Sequence, residues 1–127
     1  PNESCGLLLG NGHEADEMHR MSNVNSMPIS RYTMQPGELV EAQEIAKNSN
    51  RVFVAIYHSH TFTQGYPSKT DISNAVAVAS ISTRQVIVSL VEKTRPVVRA
   101  FSINGKSGVT ELVIETDGDP YRASDQS

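Results

Sequence analysis

The sequence predicts an α+β fold, a mixed α/β sandwich with a largely antiparallel central sheet flanked by helices. Three observations predict it. Short apolar runs recur along the 127 residues and are bounded by glycine, proline and asparagine. Two segments instead repeat apolar residues at helical spacing. The last three predicted strands have short connections, which disfavour a doubly wound parallel sheet because parallel strands need long crossovers.

Seven apolar segments are expected to form strands. Asn104-Gly105 is a typical turn sequence and predicts that the last two strands form a hairpin. The expected strands are Gly6–Gly10, Met18–Asn25, Ser30–Met34, Val52–Tyr57, Gln85–Val91, Val97–Ile103 and Val109–Ile114.

Two helices are expected from apolar positions that recur every three or four residues. Pro36 suits the first turn of the first helix, at Pro36–Lys47. The second helix is expected to start at about Asp71, with its positive end facing the candidate site described below. The apolar stripes are Leu39, Ala42, Ile45 and Ala46 in the first helix, and Ile72, Ala75, Val76 and Ala79 in the second.

The chain is expected to form one domain, residues 1–116, followed by a flexible tail at residues 117–127. A length of 127 residues suffices for one hydrophobic core but is short for two ordinary domains. The tail is polar, contains Pro120 and shows no periodicity.

Composition and charge argue against several partners. A net charge of −3 with dispersed basic residues gives no footprint for nucleic acid or an anionic membrane. No apolar run approaches the roughly 20 residues of a membrane span. The single cysteine, Cys5, opens an apolar strand and is expected to be a buried structural thiol rather than a nucleophile. Since it cannot form an internal disulfide, we expect a reducing cytoplasm.

The segment from His58 to Asp71 contains three side chains of the types that bind zinc. If the strand from Val52 continues through His58 and His60, both imidazoles lie on one face, with Cα atoms roughly 6.5 Å apart at about 3.3 Å per residue. Two imidazoles at this spacing can share one zinc with Zn–N bonds of about 2.0–2.1 Å. Asp71 follows a loop and can approach from another side. Three protein ligands leave one tetrahedral position for water, as in catalytic zinc sites.

The same residues also have ordinary structural interpretations. A His-x-His at a strand end is often a surface or hydrogen-bonded pair, and Ser68-x-x-Asp71 is by itself a capping box. Because Asp71 can hardly fold back onto Ser68 and also bind a metal, we expect the two interpretations to compete, with Thr70 as an alternative cap. The spacing alone leaves the choice open.

Two separate motifs resemble the JAMM (MPN-plus) metalloprotease family. His58-Ser59-His60, then seven residues, Ser68, two residues and Asp71 match that family's metal motif in spacing. Residues 1–6, Pro-Asn-Glu-Ser-Cys-Gly, resemble its upstream Pro-x-Glu-x-Cys-Gly element.

The segments at residues 57–61 and 66–73 look most like the bacterial stand-alone members that act on sulfur-carrier proteins, of the CysO-cysteine peptidase type. The resemblance implies a JAMM, cytidine-deaminase-like architecture. It also implies zinc-dependent hydrolysis of a peptide or isopeptide bond after the Gly-Gly tail of a ubiquitin-like or sulfur-carrier protein.

The resemblance further implies a role for five residues. His58, His60 and Asp71 would bind Zn²⁺. Glu3 would be the general base that takes a proton from the zinc-bound water and delivers it to the leaving amine. Ser68 would hydrogen-bond the oxyanion or the water.

Domains of that family usually have a strand and a helix before the glutamate element, whereas this chain begins two residues before Glu3. Those elements are apparently missing, and if they are absent from the protein, we expect Glu3 to be weakly anchored. Metal binding is accordingly a firmer expectation than activity.

The sequence favours two other functions less. A non-catalytic MPN-type scaffold or docking module is opposed by the five filled motif positions. A nucleobase deaminase would need a His-x-Glu and paired cysteines, whereas this chain has His-x-His and one cysteine. Phe62 and Tyr66 flank the motif, and substrate-tail contact and core packing are equally good interpretations of both. The oligomeric state is left open.

Overall fold

The computed structural model describes residues 2–12, 14–61, 63, 65–72, 84–91, 96–104, 108–116 and 119–120. A second helix begins at residue 69 and is described as far as residue 72. The other elements within these ranges are β1 (Cys5–Asn11), β2 (Glu14–Met21), α1 (Pro36–Asn48), β3 (Val52–His60), β4 (Arg84–Ser89), β5 (Val97–Ile103), β6 (Val109–Leu112), β7 (Glu115–Thr116) and β8 (Asp119–Pro120).

Six strands form the central sheet in the order β2-β1-β3-β4-β5-β6, and β7 and β8 form a separate pair. Neighbouring strands of the sheet are antiparallel except β3 and β4, which are parallel. A parallel pair needs a long crossover, and the second helix begins in the segment that joins these two strands. The predicted α+β class with a largely antiparallel sheet is confirmed.

Two apolar clusters pack on the sheet, one on each side of the end of β3. The first joins β1, β2 and β3 to α1, and the second lies on β4 and β5. His58 is in register with Cys5 on β1 and with Ile87 on β4, so it lies where the two clusters meet. The first cluster contains Cys5, Leu7, Leu9, Met21, Tyr32, Ala42, Ala46 and Ile56, and the second contains Ile87, Phe101 and Ile103 with Ile72 and Val109 against them.

The helix expected at Pro36–Lys47 is confirmed as α1. Ala42 and Ala46 are buried, as the apolar stripe predicts. Ile45 is 38% exposed, so its expected place on the buried face is wrong. The buried face is narrow because it is centred on two alanines one turn apart, and Ile45 is rotated from Ala46 by about 100°. Within the described ranges, no helix is long and apolar enough to cross a membrane.

The strand predicted at Met18–Asn25 is displaced, since β2 begins at Glu14 and ends at Met21. β2 lies at an edge of the sheet and most of its side chains are exposed. An exposed edge strand has no apolar alternation to mark its start. Only the last part of β2 could therefore be predicted from the sequence.

The strand predicted at Ser30–Met34 is wrong, because Met34 forms only an isolated bridge with Asn23. The Asn23 side chain accepts a hydrogen bond from the Thr33 N–H at 3.0 Å and donates one to the Arg31 carbonyl at 2.9 Å. These bonds satisfy main-chain groups that a neighbouring strand would otherwise pair.

The remaining strands agree with the sequence apart from their ends. β3 continues through both histidines, β5 has the predicted bounds, and β5 and β6 form the predicted antiparallel pair. β4 ends at Ser89 rather than Val91, and β6 ends at Leu112 rather than Ile114.

Some predictions fall partly outside the described residues. The apolar positions of the second helix beyond Ile72 do so, as does Phe62. Of the predicted tail at 117–127, only Asp119–Pro120 is described, and it pairs with Glu115–Thr116. The domain boundary at residue 116 therefore stays a prediction.

The close approach of β1 and β2 makes Gly10 intolerant of a side chain. The register of the two strands shifts between Leu9 and Gly10, and a Cβ at Gly10 would overlap the main-chain oxygen of Glu14. We expect Gly10→Ala to lower the free energy of unfolding by about 1–3 kcal/mol, because the backbone must move. Urea denaturation measures the change.

The matched control is Gly65→Ala, whose Cβ would meet its nearest neighbours at an ordinary 3.5 Å. We expect it to change the free energy of unfolding by less than about 0.5 kcal/mol. Equal stabilities of Gly10→Ala and the wild type would contradict the overlap.

Candidate metal centre and active site

The end of β3 brings the two histidines together. His58 and His60 are two residues apart on the strand, so their side chains lie on the same face. His58 is fully buried and His60 is 3% exposed. Their Nε2 atoms are 3.1 Å apart, with the ring planes inclined at 55°. The expected side-by-side placement of the two imidazoles is what the structure has.

Asp71 reaches the histidines from the first turn of the second helix. Its Oδ1 lies 3.2 Å from the His58 Nε2, and its Oδ2 lies 2.9 Å from the His60 Nε2. The carboxylate is 4% exposed. One donor atom from each of the three residues therefore lies within 4.8 Å of the other two.

Asp71 also closes the start of its own helix. Its Oδ2 accepts a hydrogen bond from the Ser68 N–H at 2.8 Å, and its N–H donates to the Ser68 Oγ at 3.1 Å. The Ile72 N–H donates to the Ser68 carbonyl at 3.0 Å, as in a first helical turn. Ser68, rather than Thr70, is thus the cap, in a reciprocal capping box.

Capping does not keep the Asp71 carboxylate away from the two histidines, contrary to the expectation that folding back onto Ser68 would do so. A carboxylate has two oxygens and about four acceptor positions. In Asp71, Oδ2 serves both Ser68 and His60 while Oδ1 faces His58. The two interpretations of the Ser-x-x-Asp spacing describe one arrangement.

Hydrogen bonds keep Asp71 ionised despite its burial. Burial raises the pKa of this carboxyl. Hydrogen bonds with His58, with His60 and with the Ser68 main chain lower the pKa by more than burial raises it. The pKa of Asp71 consequently lies well below its usual range. A permanently negative carboxylate beside two imidazoles is the form that binds a cation.

The three donor atoms fit a single zinc ion. In a tetrahedral site with bonds of about 2.0–2.1 Å, neighbouring donor atoms lie about 3.3 Å apart. The two Nε2 atoms are 3.1 Å apart, and each lies close to a different oxygen of Asp71, at 3.2 Å for His58 to Oδ1 and 2.9 Å for His60 to Oδ2. Two imidazole nitrogens and one carboxylate form a donor set that zinc prefers. The cluster is compatible with a metal site.

Glu3 is buried beside this cluster. It is 6% exposed, and its carboxyl interacts electrostatically with His60 and Asp71. Its N–H donates to the Pro28 carbonyl at 2.6 Å, and its carbonyl accepts from the Asn23 side chain at 2.9 Å. The main chain of Glu3 is thus fixed on both sides, contrary to the expected weak anchoring.

Burial makes Glu3 a weak acid. Removal from water raises the pKa of its carboxyl from 4.5 to about 7, although attraction to His60 opposes the rise. A carboxyl whose pKa lies near neutrality can accept and release a proton at the pH of most cells. Perturbed carboxyls of this kind are concentrated at functional sites.

Tyr32 packs against the His58 ring, a contact that the sequence did not suggest. Its ring stacks on the His58 imidazole, with centroids 4.5 Å apart and planes inclined at 24°. Tyr32 is 5% exposed, and burial raises the pKa of its hydroxyl well above the usual range. It lies in the segment wrongly predicted as a strand, and no spacing or motif connects it to the histidines.

Tyr66 lies in the loop two residues before Ser68. It is 51% exposed and packs edge-on against Phe101, with ring centroids 5.3 Å apart. The Arg99 guanidinium lies 5.9 Å from its centroid. Half of the ring is therefore available for contact with another molecule.

Comparisons with known proteins support the arrangement. A family model described as prokaryotic homologs of the JAB domain matches residues 1–104, which include all five candidate site residues. A CysO-cysteine peptidase of Mycobacterium tuberculosis is 34% identical over 105 residues, covering 81% of this chain and 69% of that protein. A desampylase of Haloferax volcanii is 34% identical over 77 residues, covering 59% of this chain and 55% of that protein.

The fold also has a counterpart among solved structures. The solution structure of a protein from Desulfitobacterium hafniense is similar with a TM-score of 0.70 and 28% sequence identity. The similarity covers 87% of this chain and 75% of that one. The likeness thus extends over most of the fold as well as over the motif.

The raised pKa of Glu3 predicts a pH-dependent effect of Glu3→Gln on the metal-free protein. Below about pH 4.5 the carboxyl is protonated in the folded and unfolded states, so its burial has little charge cost. As the pH rises to about 7, the unfolded state ionises first and the wild type loses stability. Glutamine does not ionise. The stability advantage of Glu3→Gln should therefore grow across this range by up to about 3 kcal/mol.

Urea denaturation in a chelator, at several pH values, measures this difference. Glu111→Gln is the control of opposite sign, because a hydrogen bond from Arg99 lowers the pKa of the Glu111 carboxyl. That variant should be destabilised at neutral pH, and less so as the pH falls. A stability difference for Glu3→Gln that stays constant with pH would contradict the burial of an ionisable Glu3.

Proposed function

This chain belongs to the family of prokaryotic JAB-domain homologues, and from the geometry of its site we propose that it is a zinc metallopeptidase. In this proposal it hydrolyses the peptide or isopeptide bond that follows the Gly-Gly tail of a ubiquitin-like or sulfur-carrier protein. The observation that carries it is the convergence of His58, His60 and Asp71 within 4.8 Å, with a buried glutamate beside them.

The relatives support the substrate class. One is named a CysO-cysteine peptidase and another a desampylase. We infer from these names that the substrate of this chain is a conjugate of a small ubiquitin-like protein. The half-exposed ring of Tyr66, next to the site, offers a surface for the extended tail of such a protein. We place the reaction in the cytoplasm, where the free thiol of Cys5 stays reduced.

His58, His60 and Asp71 would hold the zinc ion. When bound, zinc makes water acidic enough to ionise near neutral pH and polarises a carbonyl group. Tyr32 keeps the His58 ring in place by stacking on it. Ser68 keeps the Asp71 carboxylate in place through the capping box.

Glu3 acts as the general base in this proposal. It takes a proton from the attacking water and then delivers it to the leaving amine, which requires a carboxyl that is readily protonated and deprotonated. The raised pKa of Glu3, about 7, meets that requirement. The hydrogen bonds of its main chain with Pro28 and Asn23 limit the movement of the carboxyl relative to the cluster during the reaction.

Ser68 has a hydroxyl hydrogen to spare. Its Oγ accepts the Asp71 N–H, and a hydroxyl that accepts one bond still has its own O–H to donate. In the proposal this O–H donates to the oxyanion that forms as the carbonyl is attacked. One such donor is worth about 10²–10³ in rate.

The first test is the zinc content of the purified protein. We expect close to one zinc per folded chain, and a large loss in Asp71→Ala, because one of three ligands is removed. Glu3→Gln is the control, since it changes a buried acid that is not a ligand and should leave the zinc in place. Elemental analysis with circular dichroism measures both quantities. A folded wild type with little zinc would favour a non-catalytic scaffold instead.

The second test is turnover. The probes are a Gly-Gly-terminated carrier protein extended by one cysteine, and the same carrier joined to a lysine side chain. We expect the wild type to release the carrier, and Glu3→Gln to be slower by about 10²–10⁴. Mass spectrometry of the intact carrier follows the reaction.

Glu44→Gln, an exposed glutamate of α1, is the control and should have the wild-type rate. Undiminished turnover in zinc-loaded Glu3→Gln would exclude Glu3 as the base. Cleavage of only one probe would show whether the bond is a peptide or an isopeptide.

A further inference from the structure

We infer that Ser59 is a positioning residue. Its side chain and main chain hydrogen-bond Ser4, and these bonds hold Glu3 in position beside the two histidines. The inference rests on the proposed function, because it assigns Ser59 to the support of the general base. Ser59 is the residue between His58 and His60.

Two hydrogen bonds join Ser59 to Ser4. The Ser59 N–H donates to the Ser4 carbonyl at 2.9 Å, and the Ser4 N–H donates to the Ser59 Oγ at 2.8 Å. In a regular antiparallel pair the second bond would go to the main-chain carbonyl of Ser59. Here the hydroxyl takes that place, just before the first residue of β1.

This pair joins the segment that carries the base to the strand that carries the histidines. Ser4 follows Glu3 in the chain, and Ser59 separates the two histidines. On its other side, Glu3 is fixed through the Pro28 carbonyl and the Asn23 side chain. Of these anchors, the Ser4–Ser59 pair alone is attached to the strand that carries the histidines. It therefore sets the distance from the Glu3 carboxyl to the cluster.

The chemistry of the position explains the residue type. Ser59 is 8% exposed and its hydrogen bond with the Ser4 N–H is partly buried, so losing its hydroxyl as the acceptor costs free energy. Alanine would leave that N–H unpaired and free the end of β1 to shift. Threonine keeps an oxygen at the same place and suits a strand. Because a shift of about 1 Å in a reacting group can cost about 10² in rate, the effect should fall on kcat.

The test compares Ser59→Ala and Ser59→Thr in the wild-type and Glu3→Gln backgrounds, with the two carrier conjugates named above. In the wild-type background we expect Ser59→Ala to lower kcat by about 10–100-fold, with KM within about threefold and zinc content unchanged. Ser59→Thr should stay within about threefold of the wild type. In the Glu3→Gln background, Ser59→Ala should cost less than about threefold more, because it acts through Glu3.

Ser102→Ala is the matched control. Ser102 lies on the same face of the sheet at the opposite end, in register with Arg84, and should have the wild-type rate. The inference is overturned if Ser59→Ala loses zinc or keeps full activity. It is overturned equally if Ser59→Ala lowers kcat by the same factor in the Glu3→Gln background as in the wild type. It is also overturned if Ser59→Thr is as slow as Ser59→Ala. Should Ser59→Ala not fold, Ser59→Cys replaces it, since a thiol accepts hydrogen bonds only weakly.

A second measurement separates this inference from the proposed function. If the zinc-loaded wild type cleaves neither conjugate, the proposed substrate is wrong. Amide hydrogen exchange then tests the hydrogen bonding between Ser59 and Ser4. The Ser4 amide should exchange faster in Ser59→Ala than in the wild type and in Ser59→Thr. Equal exchange rates in all three proteins would overturn the inference that Ser59 holds Ser4, whatever the substrate.

Discussion

The antiparallel pairing of β1 with β3 is the contact on which the rest of the molecule depends. Its register places Cys5 opposite His58 and Leu7 opposite Ile56. A slip of one residue would turn every side chain of β1 to the other face. That slip would take Leu7 and Leu9 out of the core and Glu3 away from the histidines. One register therefore fixes the hydrophobic core and the site together.

The site concentrates ionisable groups where little water is present. Glu3, His58, His60 and Asp71 are each no more than 6% exposed. Asp71 is compensated by hydrogen bonds from three groups, and its charge is stabilised. For Glu3 the effect of burial outweighs the attraction to His60, and its pKa rises instead. The contrast divides the two acids into a stable anion and a carboxyl that titrates near neutral pH, which is the division that the proposed acid–base chemistry needs.

The sequence revealed those parts of the structure that follow from a short period. The alternation of β3 placed His58 and His60 side by side, and the helical spacing located α1. The sequence could not reveal contacts between segments far apart in the chain. Tyr32 stacks on His58 from a segment without regular structure, and the edge strand β2 has no apolar pattern.

The double role of Asp71 shows a second limit of sequence reasoning. A spacing of three residues says that Ser68 and Asp71 can meet, but not that each carboxylate oxygen has its own partners. Only the three-dimensional arrangement shows Oδ1 facing His58 while Oδ2 serves His60 and Ser68. The motif match named these residues, and the structure shows one side chain in contact with the helix cap and with both histidines.

The bond between Ser4 and Ser59 has a different consequence, because it joins positions 55 residues apart and lies just before the first residue of β1. Strand ends open more readily than strand centres. Fraying there would separate Glu3 from β3 while His58, His60 and Asp71 stay together, so on warming the proposed catalytic step would fail before the protein unfolds.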